Sequence, residues 1–153
     1  MAYIRYKEVA KYFYFSTVID KNSLPKYITD YVLPGETVLA AYKVGRDHGV
    51  FTENKIVLYD NSISFKPRKI ILTIPYHSIS SHSITFFGGT AEINLLFDSG
   101  YPMKLKFVNM NDLDKVRLRY IYHCISARIC EQEIPKEYLK KLAEDKYDNK
   151  GEW

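Results

Sequence analysis

The sequence predicts an α+β fold: a seven-stranded antiparallel β-barrel closed by a C-terminal helix, with added helices at both ends of the chain. Three observations predict it. From Glu36 the apolar period changes from that of helices to that of strands. Turn signals then recur at short intervals, at Glu53-Asn54, Asp60-Asn61, Gly88-Gly89 and Asp98-Ser99-Gly100. One long helix, apolar on more than one side, follows the last of these strands.

The chain opens with Ile4, Val9, Tyr12 and Phe13 on one helical face and Arg5, Glu8 and Lys11 between them. A helix is expected through about residue 14. The end of this segment, FYFSTVI, is rich in strand formers and fits an extended chain equally well. Ser23 is expected to cap a short second helix with Pro25 in its first turn. Leu24, Tyr27, Ile28 and Tyr31 keep helical spacing, and Leu33-Pro34-Gly35 stops it. These pieces are expected to pack on the barrel or on a neighbouring subunit.

Seven strands are expected at 36–44, 50–52, 55–59, 69–76, 79–87, 91–97 and 101–108. The sixth alternates Ala91, Ile93, Leu95 and Phe97 against Glu92 and Asn94. The seventh sends Met103, Leu105 and Phe107 inward and Lys104 and Lys106 outward. Asn111 then caps the closing helix, and Asp112 and Asp114 suit its positive end. Leu113, Val116, Tyr120, Cys124 and Ala127 form one stripe; Leu118, Ile121, Tyr122, Ile125 and Ile129 form a second. One stripe plugs the barrel, which leaves the second as a candidate interaction face. A last, polar helix is expected over about 134–147. The domain reading is an N-terminal helical segment at 1–35, the barrel domain at 36–130 and a C-terminal helical extension at 131–153.

Composition excludes more than it assigns. A chain of 153 residues suits one domain with a proper core. No apolar run approaches the ~18 residues of a membrane span, and charges interrupt the first fifteen residues, so the expected location is cytoplasmic. A formal charge of +4 is ordinary for solubility, and nucleic acid is not expected as a partner. Fourteen Tyr and eight Phe are a surplus that favours both strands and binding surfaces. Cys124 and Cys130, six apart on a helix, point in different directions and do not suit a disulfide.

The stretch RDHGVFTENKIVLYDN carries a more specific signal. Its Arg46-Asp47, Phe51-Thr52, Lys55-Ile56 and Asp60 resemble the pattern of the bacterial PH (pleckstrin-homology-like) domain family of uncharacterised proteins. Ile74-Pro75-Tyr76 with Ile79, and the entry Leu33-Pro34-Gly35-Glu36, are similar to that family as well. The resemblance covers about residues 33–130 and implies a PH-like barrel. Lys55 stands where Arg is commoner, and the segment from Asp60 to Lys69 lacks the expected glycine-rich turn. On the residues alone, Thr52 and Asn54 read as turn chemistry and Asp47 as a backbone partner, so the motif fixes a hairpin.

The residues argue against catalysis. His48, His77, His82 and His123 show no pair at metal-ligand spacing, and neither a metal nor a cofactor is expected. The serines of SISSHSI lack a nucleophile elbow, and Gly88-Gly89 precedes a strand where a phosphate loop needs a helix. The expected function is therefore a non-enzymatic module that binds protein or assembles with itself, as a regulator or inhibitor of a larger complex. A homo-oligomer is expected. Its candidate interaction helix presents Leu118, Ile121, Tyr122, Ile125 and Ile129. One alternative is binding of an anionic lipid or inositol-phosphate headgroup by Lys43, Arg46, Lys66, Arg68 and Lys69. Another, suggested by abundant Lys, Ile, Tyr and Asn, is a phage or other mobile-element inhibitor of a host defence complex.

Overall fold

The structure is a computed structural model that describes residues 12–61 and 69–145. Nine strands form two sheets. β1 (Tyr12–Phe15), β9 (Pro102–Phe107), β8 (Thr90–Phe97) and β7 (Ile79–Phe87) make the first, in that order. β2 (Thr17–Ile19), β3 (Val38–Val44), β4 (Asp47–Thr52), β5 (Lys55–Asn61) and β6 (Lys69–Pro75) make the second. Helices α1 (Lys26–Thr29), α2 (Asp112–Ile129) and α3 (Lys136–Ala143) complete the fold.

All seven expected strands are present as β3–β9, but the sheets do not close into a barrel. They are joined on one side only. β1 pairs in parallel with β9, the chain turns at Ser16, and β2 pairs antiparallel with β3. Ser16 N–H donates to the Lys43 carbonyl at 3.1 Å, and Val108 N–H donates to the Phe15 carbonyl at 2.9 Å. The segment 12–15, expected at the end of a helix, is thus a strand, and residues 1–11 of that helix lie outside the described residues. On the other side, among the described residues, β6 bonds only to β5 and β7 only to β8. That corner stays open, bridged by the short 3₁₀ turn Tyr76–Ser78.

The main core lies between the sheets and under α2. Phe15, Tyr42, Phe51 and Phe107 meet there, with Tyr42 edge-on to Phe107 at 4.9 Å between ring centres. Gly49 makes room for Phe15: a Cβ there would sit 2.8 Å from Cε1 of the ring and closer still to Cζ. A second core lies on the outer face of the five-stranded sheet. Ile28 of α1 is fully buried against Ala41, Val50, Val57 and Tyr59. The Tyr59 hydroxyl donates to the Ile28 carbonyl at 2.6 Å. Both faces of β5 are therefore covered, which accounts for its unbroken apolar run Ile56–Tyr59. Pro25, not Ser23, stands at the N-cap of α1, while Asp20 caps a preceding 3₁₀ turn.

α2 begins with a reciprocal cap. Asp114 N–H donates to Asn111 Oδ1 at 2.8 Å, and Asn111 N–H donates to Asp114 Oδ2 at 3.1 Å. Arg117, one turn on, is fully buried. It donates to Asp114 Oδ1 at 2.6 Å and, through Nε and a second nitrogen, to the carboxylate of Asp145 just beyond α3. Lys21 Nζ donates to the Leu142 carbonyl at 2.5 Å. Together these contacts tie the segment at Lys21 to α3, and the end of α3 to α2.

Candidate functional site

The hairpin signature resolves into a lock. The Glu36 side chain is 2% exposed and receives four groups: Leu33 N–H at 3.0 Å, the Thr52 hydroxyl at 2.7 Å, Lys55 Nζ at 3.1 Å and Asn54 Nδ2 at 3.5 Å. Thr52 Oγ1 in turn accepts the Asn54 and Lys55 N–H groups at 3.1 and 3.0 Å, which closes the β4–β5 turn. The Tyr76 hydroxyl donates to the Thr52 carbonyl at 2.7 Å, and Arg128 of α2 donates to the Glu53 carbonyl at 3.1 Å. Burial raises the Glu36 carboxyl, but these donors outweigh it and hold the group below the usual carboxylate range. Leu33, Glu36, Thr52, Lys55 and Tyr76, all in the motif segments, meet at one point. They set strand register.

At the opposite end of the same sheet lie the basic residues. Lys43 pairs across the ladder with His48, Arg46 sits in the β3–β4 turn, and Lys69 starts β6. Lys66 and Arg68 lie outside the described residues. Lys69 Nζ sits 5.3 Å above the ring of Tyr27, whose edge meets His48 at 5.9 Å. Tyr27, Tyr31 and Leu33 are exposed in this N-terminal region. His48 is itself buried, and its Nδ1 donates to the Arg46 carbonyl at 3.1 Å.

Burial lowers the pKa of His48; the Arg46 carbonyl opposes this, Lys43 adds to it, and Asp47 opposes it. Burial alone lowers His82. Both histidines thus ionise more readily in the unfolded chain, near 6.5. The unfolded state binds more protons, so stability is full above pH 6.5 and falls as pH drops below it. Melting temperature should decline between pH 7 and pH 5, and His48→Gln should flatten that slope in a differential scanning series.

The expected interaction helix needs correction. Leu118, Ile121 and Ile125 are 0–1% exposed and belong to the main core, so they offer no face to a partner. Tyr122 and Ile129 are half-buried and pack against the same core. The second stripe is the one that faces the sheets. On the other side, Tyr120 meets Tyr138 of α3.

Among the described residues no group of three His, Cys, Asp or Glu is placed to hold a metal. The Cys124 thiol is buried, which pushes it up to about 12, well away from thiolate at neutral pH. His82 Nε2 lies 2.9 Å from the hydroxyl of Ser126, a serine that sequence reading did not single out. No carboxylate among the described residues orients the other ring nitrogen, and the ring packs on Tyr122 at 5.4 Å. This contact ties α2 to β7.

The open corner is the feature that sequence reading missed. A groove of about 360 Å³ runs along it, lined by Leu72, Ile74 and Pro75 of β6, Ser78, and Phe97 with its following turn. Its only local signal is the apolar run Ile70–Leu72, which demands cover on both faces of a strand.

Two packed, largely antiparallel sheets with one long helix against the core define a pleckstrin-homology-like fold. The sequence profile of the bacterial PH domain family matches residues 10–125, and the chain belongs to that family. It is 26% identical over 110 residues to the uncharacterised protein YozO of Bacillus subtilis strain 168, across 71% of this chain and 96% of that protein. Its fold is similar to a DUF1696 family protein with a pleckstrin-homology domain from Shewanella loihica PV-4. The TM-score is 0.58 at 20% identity, covering 74% of this chain and 96% of that one. A PH-domain-containing protein from Exiguobacterium sibiricum 255-15 gives 0.57 at 19% identity, covering 78% of this chain and 64% of that one. None of the helices among the described residues is long and apolar enough to cross a membrane.

Proposed function

We propose that the chain is a non-enzymatic binding module that assembles with itself through the edges of its open corner. The observation that carries this reading is the pair of unshared edges: among the described residues β6 and β7 each have one hydrogen-bonded neighbour. An edge strand presents unpaired N–H and C=O groups, a template for another strand. The apolar groove beside β6 supplies side-chain contact to match. Homotypic use of such an edge gives a symmetric dimer or a ring, according to the geometry of closure. Sedimentation velocity over a concentration series should show reversible growth beyond the monomer. Thr73→Lys with Ser83→Lys, both at exposed positions, should abolish it while leaving the melting temperature within about 2 °C. A strict monomer at every concentration would sink the proposal.

A second reading has its own observation. Topology gathers Lys43, Arg46 and Lys69 at one end of the sheet, and Lys66 and Arg68, outside the described residues, complete the set of five in the sequence. Exposed Tyr27 and Tyr31 lie beside them. This arrangement suits an anionic headgroup. Adding vesicles with anionic lipid to the same samples separates the two readings. Co-sedimentation lost on charge reversal of these five residues favours the headgroup; its persistence in that variant excludes it.

A further inference from the structure

The outer face of α2 carries a site unrelated to the corner. Val116, Arg119, Tyr120 and His123 follow one another at helical spacing, and Tyr138 of α3 closes the far wall. They enclose a cleft of about 320 Å³, within the range of small-ligand sites. Its floor and wall are flat. Tyr120 and Tyr138 meet edge to face at 5.3 Å, and the His123 ring stacks on Tyr138 at 5.8 Å with 25° between planes.

The rim carries basic side chains, Arg119 and His123. Lys115, Arg119 and His123 recur every four residues on α2. Lys115 is 3.9 Å from Asp112, but no carboxylate among the described residues lies within 4 Å of Arg119. The Arg119 guanidinium lies 5.8 Å from the centre of the Phe86 ring. The cleft thus sets a guanidinium beside two phenol rings and an imidazole, which suits a flat ring bearing a carboxylate or phosphate.

We propose that this cleft binds an aryl carboxylate or aryl phosphate, with Arg119 on the anionic group and Tyr120, Tyr138 and His123 against the ring. The proposal is separate from self-association, because Arg119, Tyr120 and His123 lie on α2 and Tyr138 on α3. Such a ligand has two sources, a free small molecule or the phosphorylated tyrosine of a peptide. The test is calorimetric titration of the full chain with phenyl phosphate, benzoate, inorganic phosphate, benzyl alcohol and a tyrosine-phosphorylated peptide. Phenyl phosphate or benzoate should saturate one site about tenfold more tightly than inorganic phosphate or benzyl alcohol, the gain expected when ring and anion are held together. Arg119→Gln should weaken binding about tenfold with an unchanged melting temperature. Tyr138→Leu should erase the preference for the ring over inorganic phosphate. Binding of the peptide at least as tight as that of phenyl phosphate assigns the peptide source; weaker binding assigns the free molecule. Absence of saturable binding by both aryl anions, or binding indifferent to Arg119→Gln, would overturn the proposal.

Discussion

Replacing Arg117 with methionine will destabilise the protein by about 3–5 kcal/mol, the scale for breaking a buried ion pair from one side. Arg117 is 0% exposed, and the Asp145 side chain is 4% exposed. Burial pulls against the charge on the guanidinium, but Asp145 and then Asp114 raise its pKa, and it stays ionised in the core. Without Arg117, the Asp145 carboxylate is left buried and loses its two donors from α2. Asp145→Leu alone will cost a comparable amount, because the guanidinium loses the carboxylate that accepts from two of its nitrogens. The double variant Arg117→Met/Asp145→Leu will recover much of the loss, since two apolar side chains leave no buried charge unpaired. Urea denaturation midpoints of the three variants check this. Equal midpoints for wild type and Arg117→Met would show that the ion pair contributes nothing.

Glu36→Ala will cost about 3 kcal/mol, a sum over charge-assisted bonds left without an acceptor. The loss falls on four donors at once: the Leu33 N–H, the Thr52 hydroxyl, Lys55 Nζ and, at longer range, Asn54 Nδ2. Thr52→Val keeps the shape and loses the hydroxyl that serves both Glu36 and the β4–β5 turn; it will cost about 1–3 kcal/mol. The pH signature is distinct from that of the histidines. Glu36 has a folded pKa below its unfolded value of 4.5. Its contribution is therefore full above pH 4.5 and is lost as pH falls through the folded value. Chemical denaturation at pH 7 and pH 3 should show a gap between wild type and Glu36→Ala that narrows in acid. A gap of the same size at both pH values would contradict the lock.

Local pattern revealed most of the body and none of its closure. β3–β9 were legible because each alternates or runs apolar between turn residues, and α2 because Asn111 caps a periodic stretch. β1 was not: Tyr12–Phe15 has no alternation of its own, and its partner β9 lies about ninety residues away in parallel register. Whether seven strands close is a global property, since the edges of β6 and β7 each look like a normal strand in sequence. The assignment of stripes on α2 failed for a related reason. Both stripes are apolar, and the buried Arg117 between them reads as a solvated charge until Asp145 arrives from α3. The hairpin motif was read correctly as structural, yet its centre, Glu36, gained meaning only when Thr52 and Lys55 were brought to it. The basic residues were visible individually; topology placed Lys43, Arg46 and Lys69 at one end of the sheet. The cleft on α2 needed Tyr138, from another helix, to become a cleft.

The central claim is that the open corner is the surface of assembly, and amide hydrogen exchange as a function of protein concentration tests it most directly. Backbone amides of β6 and β7 should exchange more slowly as concentration rises, while those of α2 and of the buried β4 and β5 stay unchanged. Concentration-independent exchange in β6 and β7, in a sample that sedimentation shows to be associating, would place assembly elsewhere and contradict the account.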